Sequence, residues 1–189
     1  MPRADAERSV AAILDAALAA LTEDPDVSMA EIARRAGVVR ATVYVHFPTR
    51  EALVAAVTER AIAESTAALQ GAAPGAGEPR EALARVLAAG WRALGRYHAL
   101  VTLNTRLGPE HMRALHAPVA GTVRPLLERG RAAGAFNPDL TLEWMLTVVL
   151  DLIHAASREV TAGRLPEAEA ERALIATVTG ALSPRVARI

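Results

Sequence analysis

The sequence predicts an all-α protein of about nine helices, a small three-helix domain followed by a larger helical one. Three observations predict it. Of the 189 residues 52% are hydrophobic but only 3% aromatic, and the excess is Ala, Leu and Val. That composition suits helices packed closely over small side chains. Apolar residues recur at i, i+3, i+4 and i+7 along most of the chain, the spacing of one buried helical face. Pro and Gly fall between these periodic stretches, where helices start and stop.

The first helix runs from about 6 to 22, where Val10, Ile13, Leu14, Ala17, Leu18 and Leu21 form one stripe. Pro25 and the acidic residues around it end that helix. Ser28 with Glu31 three residues later has capping-box spacing, in which each side chain satisfies an amide at the helix start. The short helix opened there buries Met29, Ile32, Ala33 and Ala36. Gly37 supplies a tight turn, with Val38 as an apolar plug under it. A second short helix spans about Val39 to Phe47 and is stopped by Pro48. Thr49 caps a longer helix that continues to about Gln70.

Gly71 to Pro79, GAAPGAGEP, has no apolar periodicity and reads as a loop and candidate hinge. Leu83, Val86, Leu87, Gly90, Trp91 and Leu94 resume the helical spacing, with a break near Gly108-Pro109. Glu110 to Ala133 is helical again, bent or restarted by Pro118 and Pro125. Phe136-Asn137-Pro138-Asp139 is a turn. Thr141 to Thr161 is apolar on nearly all sides, as in a helix that packs on its own domain and on a second surface. Gly163 closes it, and Pro166 takes the first position of a last helix. That helix runs to about Leu182 and buries Leu174, Ile175, Val178 and Leu182. The domain division falls at 1–48 and 49–189.

The absence of cysteine excludes disulfides and thiolate metal sites. Arg3 and Arg8 precede an apolar stretch, but Asp5, Glu7 and Asp15 interrupt it, the wrong pattern for a secretory signal. The strongest apolar run, Trp144 to Leu150, is far short of the roughly 18 residues that span a bilayer. A cytoplasmic protein without a membrane partner is the expectation. Net charge is zero, yet unevenly placed. Residues 1 to 27 hold two arginines against six carboxylates, net −4, whereas residues 28 to 50 hold four arginines against Glu31 alone, net +3. A local basic face can grip phosphate, because screening confines the field to ~8–10 Å. Every basic residue is Arg, which suits phosphate geometry.

Two short helices about a Gly-containing turn form a helix-turn-helix, in which the second helix enters the major groove of DNA and its surroundings hold phosphates. Residues 40, 41, 44 and 45 span little more than one turn and face the groove together, while Val43 and Phe47 face the core. Arg40 is placed to bond guanine O6 and N7, worth ~1–3 kcal/mol of discrimination. The stretch from Ser28 to Leu53, SMAEIARRAGVVRATVYVHFPTREAL, resembles the N-terminal signature of the tetracycline-repressor (TetR) family. The resemblance is carried by Ile32-Ala33, Ala36-Gly37-Val38, Thr42, Tyr44, His46-Phe47, a basic residue at 50 and Leu53. It implies that Thr42, Tyr44 and His46 contact the DNA backbone and that Arg50, where Lys is commoner, meets a phosphate at the start of the fourth helix. The DNA-binding set is then Ser28, Arg40, Ala41, Thr42, Tyr44, Val45, His46 and Arg50. Val39 departs from the pattern, since that position is usually a Ser cap.

Four of the six aromatics, Trp91, Tyr97, Phe136 and Trp144, lie in the C-terminal part. Trp91, Leu94 and His98 share a helical face, and the resemblance implies a ligand pocket in this domain. An apolar small-molecule site bounded by that face and the Trp144 helix comprises Trp91, Leu94, His98, Trp144, Val148 and Asp151, with ordinary core packing as the alternative. Thr147, Asp151, His154 and Arg158 form a polar stripe that serves a ligand, an intrahelical pair or an interface. The last two helices, about 141–182, suggest a homodimer interface, which the family also implies. Half-sites would then lie ~34–36 Å apart or somewhat more.

The remaining classes are a helix-turn-helix regulator without an effector and a helical enzyme. His111 and His116, five apart, lie ~140° round a helix and do not chelate one ion together. Asp151 and His154 have the spacing but no third ligand. No serine elbow or phosphate-cradling Gly loop is present. The sequence therefore predicts no catalysis, metal or cofactor. It predicts a repressor that binds double-stranded DNA and is released by a mainly apolar small molecule.

Overall fold

The computed structural model describes residues 3–98, 100 and 109–184. Among them are nine α-helices and no strand. They are α1 (Arg3–Glu23), α2 (Met29–Arg35), α3 (Arg40–His46), α4 (Arg50–Gly71), α5 (Pro79–Leu94), α6 (Pro109–Leu115), α7 (Ala117–Ala132), α8 (Leu142–Thr161) and α9 (Glu167–Ala181), with a 3₁₀ turn at Gly95–Tyr97 after α5. No helix of the described residues is long and apolar enough to cross a membrane. Of the predicted break near Gly108-Pro109, Gly108 lies outside the described residues.

Two compact units comprise Met1–Ala61 and Ile62–Ile189. Their division falls inside α4, rather than between residues 48 and 49. Pro48 ends a helix rather than a domain: Leu53, Val57 and Ala61, on the first half of α4, are buried and belong to the first unit.

In the first unit, α1 buries Ile13, Ala17, Leu18, Ala20 and Leu21, while Val10 and Leu14 are only half-buried. α2 packs on both α1 and α3. The cap at its start is half a capping box. Ser28 Oγ accepts from the Glu31 amide at 3.2 Å, but the Glu31 carboxylate turns to Arg34 and Arg35. Two guanidiniums outbid one backbone amide, because charge-assisted bonds are roughly twice as strong. α2 ends in a Schellman motif. The amide of Val38 reaches the carbonyl of Ala33 at 3.1 Å and that of Gly37 reaches Arg34 at 3.3 Å, which requires the left-handed φ of +68° at Gly37. Ala36, predicted buried, is the half-buried C-cap residue at this bend. Thr49 Oγ1 caps α4 by accepting from the Ala52 amide at 3.1 Å.

In the second unit, Leu83, Val86, Leu87 and Trp91 of α5 meet Val123, Leu126 and Leu127 of α7, Met145, Leu146 and Val149 of α8, and Leu174 and Val178 of α9. Each such side chain contributes on the order of 1.5–3 kcal/mol by leaving water. Phe136, fully buried, lies on the bare backbone of Gly130, where a Cβ would stand 2.1 Å from the ring. The predicted turn holds itself through Asn137, whose Oδ1 accepts from the Asp139 amide at 3.0 Å. Its amide also bonds Leu182 at the end of α9 at 2.8 Å.

The helical stretch after Pro109 restarts at His116, the N-cap of α7, and Pro118 stands in the first turn where no donor is missed. Pro125 is accommodated inside α7. Pro166 is the N-cap of α9 rather than its first residue. The GAAPGAGEP loop is tethered: Arg85 donates to Ala76 at 2.7 Å, and Arg129 to Gly77 at 2.6 Å and Pro74 at 3.0 Å. The hinge suggested by composition is therefore a clamped loop in this structure.

Candidate functional site

The face of α3 is built by its periodicity. Val43 is fully buried and Phe47 nearly so, which turns Arg40, Ala41, Tyr44 and Val45 to the exterior as one exposed strip. Val45 is 78% exposed and Tyr44 37%. Arg40 lies over the Tyr44 ring, its guanidinium carbon 5.3 Å from the ring centroid, and one nitrogen donates to the Tyr44 hydroxyl at 3.2 Å. A cation–π contact of this exposed kind is worth ~0.5–1 kcal/mol and limits the rotamers of both side chains. Thr42 and His46 flank the strip, half-buried. Val39 occupies the N-cap without a side-chain bond to the helix, as its apolar side chain dictates.

The basic character of residues 28–50 is narrower than the residue count implied. Arg34 and Arg35 close on Glu31 at 2.6 and 2.8 Å, and Arg35 also meets Glu23 at 2.7 Å. Bonds first from Arg34 and then from Arg35 hold the Glu31 carboxyl down at about 2. Two of the four arginines are thus compensated. Arg50 donates to the carbonyl of Pro25, fixing the start of α4 against the loop before α2, and its guanidinium has further donors to offer. Ser28 spends its oxygen as the cap of α2 and keeps its hydroxyl proton as a donor. The Glu31 pairs stand at i+3 and i+4, a local spacing, whereas the pair of Glu23 with Arg35, twelve residues apart, leaves no sign in the sequence.

The second unit holds an apolar cavity of about 60 Å³. Ile62, Ser65 and Leu69 of α4, Val86, Leu87, Gly90 and Leu94 of α5, and Val149, Leu150, Ile153 and His154 of α8 line it, with His116, Val119 and Val123. No lining residue carries a formal charge. The His116 and His154 rings meet edge to face at 4.9 Å, and His116 Nδ1 lies 2.9 Å from the carbonyl of Met112. A carbonyl only accepts, so Nδ1 bears a proton. Burial, followed by the neighbouring His116 and Arg158, pushes His154 down to about 4.

Of the six residues predicted around this site, Leu94 alone lines the cavity. Trp91 is a core side chain stacked 4.7 Å from His98, and His98 is buried with Nδ1 2.8 Å from Ser157 Oγ. Trp144, 56% exposed, and the exposed Asp151 lie on the outer side of α8, and half-buried Val148 packs against the core without lining the cavity. Helical geometry explains the error. Trp144, Val148 and Asp151 fall within ~60° of arc, while Val149, Leu150, Ile153 and His154 occupy the other side of the helix. Among the polar stripe only His154 reaches the cavity; Thr147 bonds the carbonyl of Glu143 at 2.9 Å. Among the described residues no group of three carboxylates or imidazoles is placed to hold a metal ion.

Residues 13–57 match the family model of bacterial regulatory proteins of the tetR family. A segment of 81 residues is 40% identical to the HTH-type transcriptional repressor LfrR of Mycolicibacterium smegmatis, covering 43% of each chain. The match thus spans less than half of that relative's length. The crystal structure of the TetR-like regulator LfrR from Mycobacterium smegmatis, in complex with proflavine, superposes with a TM-score of 0.72 at 26% identity, over 95% of this chain and 98% of that one. The chain resembles TetR-family regulators, most sharply over residues 13–57. The fatty acid degradation regulator FadR of Bacillus halodurans shares the fold alone, with a TM-score of 0.76 at 15% identity over 90% of this chain and 98% of that one. The relatives matched are described as transcriptional regulators.

Proposed function

We propose that this TetR-like protein is a transcriptional repressor that binds a palindromic operator as a dimer and is released by a small, mainly apolar molecule. The observation that carries the reading is the exposed strip of Arg40, Ala41, Tyr44 and Val45 on the second helix of a helix-turn-helix. Arg40, held over Tyr44, presents donors to a guanine edge. Thr42, Tyr44, His46, Arg50 and Ser28 supply hydroxyl, imidazole and guanidinium donors for phosphates. The sign of regulation follows the relative named a repressor. The place of action is the cytoplasm, where the operator lies.

Dimerisation is assigned to α8 and α9. Ala173, Ala176, Thr177 and Gly180 are exposed at i, i+3, i+4 and i+7 on α9, a small-residue face that admits a close partner helix, and Trp144 stands out from α8. The effector site is assigned to the cavity. Its mainly apolar walls, with the His116 and His154 rings and Ser65 among them, suit an apolar body carrying one polar group. α4 supplies both Ile62, Ser65 and Leu69 of the cavity wall and the buried Leu53 and Val57 of the first unit, so a ligand pressing on it bears on the DNA-reading unit through one continuous helix.

The test is selection of fragments bound by the full protein from random and genomic DNA. Recovery of an inverted repeat, with binding abolished by Arg40→Ala combined with Tyr44→Ala, is the expected result. No palindrome, or binding indifferent to both substitutions, refutes the reading. Thermal-shift screening of neutral aromatic alcohols, with naphthol as the first probe, tests the effector. Stabilisation that releases the operator fragment supports it, and persistent absence of any stabilising compound with DNA binding intact makes this a regulator without an effector.

A further inference from the structure

The α3 face carries an unusual mixture for a surface that reads base edges. Arg40 is its single guanidinium, and it has no Asn or Gln, the side chains that bond adenine N6 and N7 in pairs. What it presents instead is hydrocarbon. Ala41 and Val45, four residues apart, stand side by side on the helix beside the Arg40–Tyr44 pair. At 78% Val45 is the most exposed large apolar side chain of the described residues, and Val39, at the N-cap, follows at 69%. Neither can donate or accept a hydrogen bond.

The major groove offers one apolar feature, the C5-methyl of thymine. We propose that Val45, flanked by Ala41, is the determinant by which this protein selects thymine at one or two positions of each half-site, while Arg40 selects guanine. The inference rests on the DNA-binding reading above. It follows that A·T pairs are read from the thymine side by burial of a methyl group, with no hydrogen bond to adenine from this helix. A methyl buried between Val45 and Ala41 loses its water on both sides, and the binding constant should respond about fourfold per methyl, the equivalent of one buried CH₂.

Deoxyuridine in place of thymidine deletes that methyl and leaves pairing unchanged, so it isolates the contact. The experiment measures competition binding of the full protein to its selected operator, with each thymidine replaced in turn, for the parent and for Val45→Ala. Val45 is exposed and Ala favours helix, so the variant keeps the fold. The expected outcome is a loss of about fourfold at one or two positions per half-site for the parent, and a clearly smaller loss at those positions for Val45→Ala. Uniform indifference of the parent to uracil, or equal losses in parent and variant, overturns the proposal while DNA binding stands. Failure of the parent to bind any selected DNA overturns the functional reading itself, and this proposal with it.

Discussion

Arg40 and Arg34 are both exposed arginines on the helix-turn-helix, yet the structure gives them opposite roles. Arg34 is spent on Glu31, whereas Arg40 keeps donors beyond its bond to Tyr44. Arg40→Gln should weaken operator binding by about 5- to 150-fold, the loss expected for a bidentate base contact of ~1–3 kcal/mol. Arg34→Gln should leave affinity within about twofold, and the slope of log K against log salt within about half a unit, since each lost phosphate contact shifts it by ~0.9. Fluorescence anisotropy between roughly 50 and 200 mM salt checks both. His154 yields a prediction of a different kind. Its folded-state pKa lies near 4, below the usual 6.5, so between about pH 6.5 and 4 the unfolded chain binds the extra proton. Stability should therefore fall as pH drops through that window, and His154→Phe should flatten the fall by on the order of 2 kcal/mol. Melting temperatures of parent and variant at stepped pH measure it.

At the scale of elements, caps and close approaches decide. α3 begins without a side-chain cap because Val39 has nothing to offer. Val39→Ser should raise stability by ~0.5–1 kcal/mol, read as a higher Tm by circular dichroism. Gly130→Ala puts a methyl 2.1 Å from the Phe136 ring. The turn is bolted to Leu182 by a backbone bond, so the ring has little room to retreat. A loss of ~1–3 kcal/mol in denaturant unfolding is expected.

The helices themselves were legible in the sequence because caps and breakers are local: Ser28, Gly37 and Thr49 all stand where their side chains or backbone demanded. The face of α3 was legible for the same reason, since Val43 and Phe47 fix it. The cavity was not, because Gly90, His116, Val149 and Ile153 come together only through packing between helices, which no spacing within one helix records. Reading Trp144 and Asp151 inward failed for that reason, an all-round apolar helix giving no sign of which side its own domain covers.

For the molecule as a whole, operator affinity on the proposed reading comes from two copies. A single short α3 with one free guanidinium on its face buries too little to hold an operator alone. Trp144→Glu places charge on the outer side of α8 while leaving the cavity and core untouched, and it should convert dimer to monomer in sedimentation experiments. Helical content should be retained and operator affinity should drop at least a hundredfold, roughly the loss of one half-site's contacts.

The closed triangle of Glu31, Arg34 and Arg35, with Glu23 behind it, has a consequence for the search along a chromosome. Sequence-independent adhesion to DNA grows with every uncompensated cation. On the proposed reading, silencing two arginines beside the reading helix would lower residence on the millions of wrong sites more than on the right one. Few copies per cell would then be lost to bulk DNA, and a modest operator affinity would be enough to keep a promoter closed.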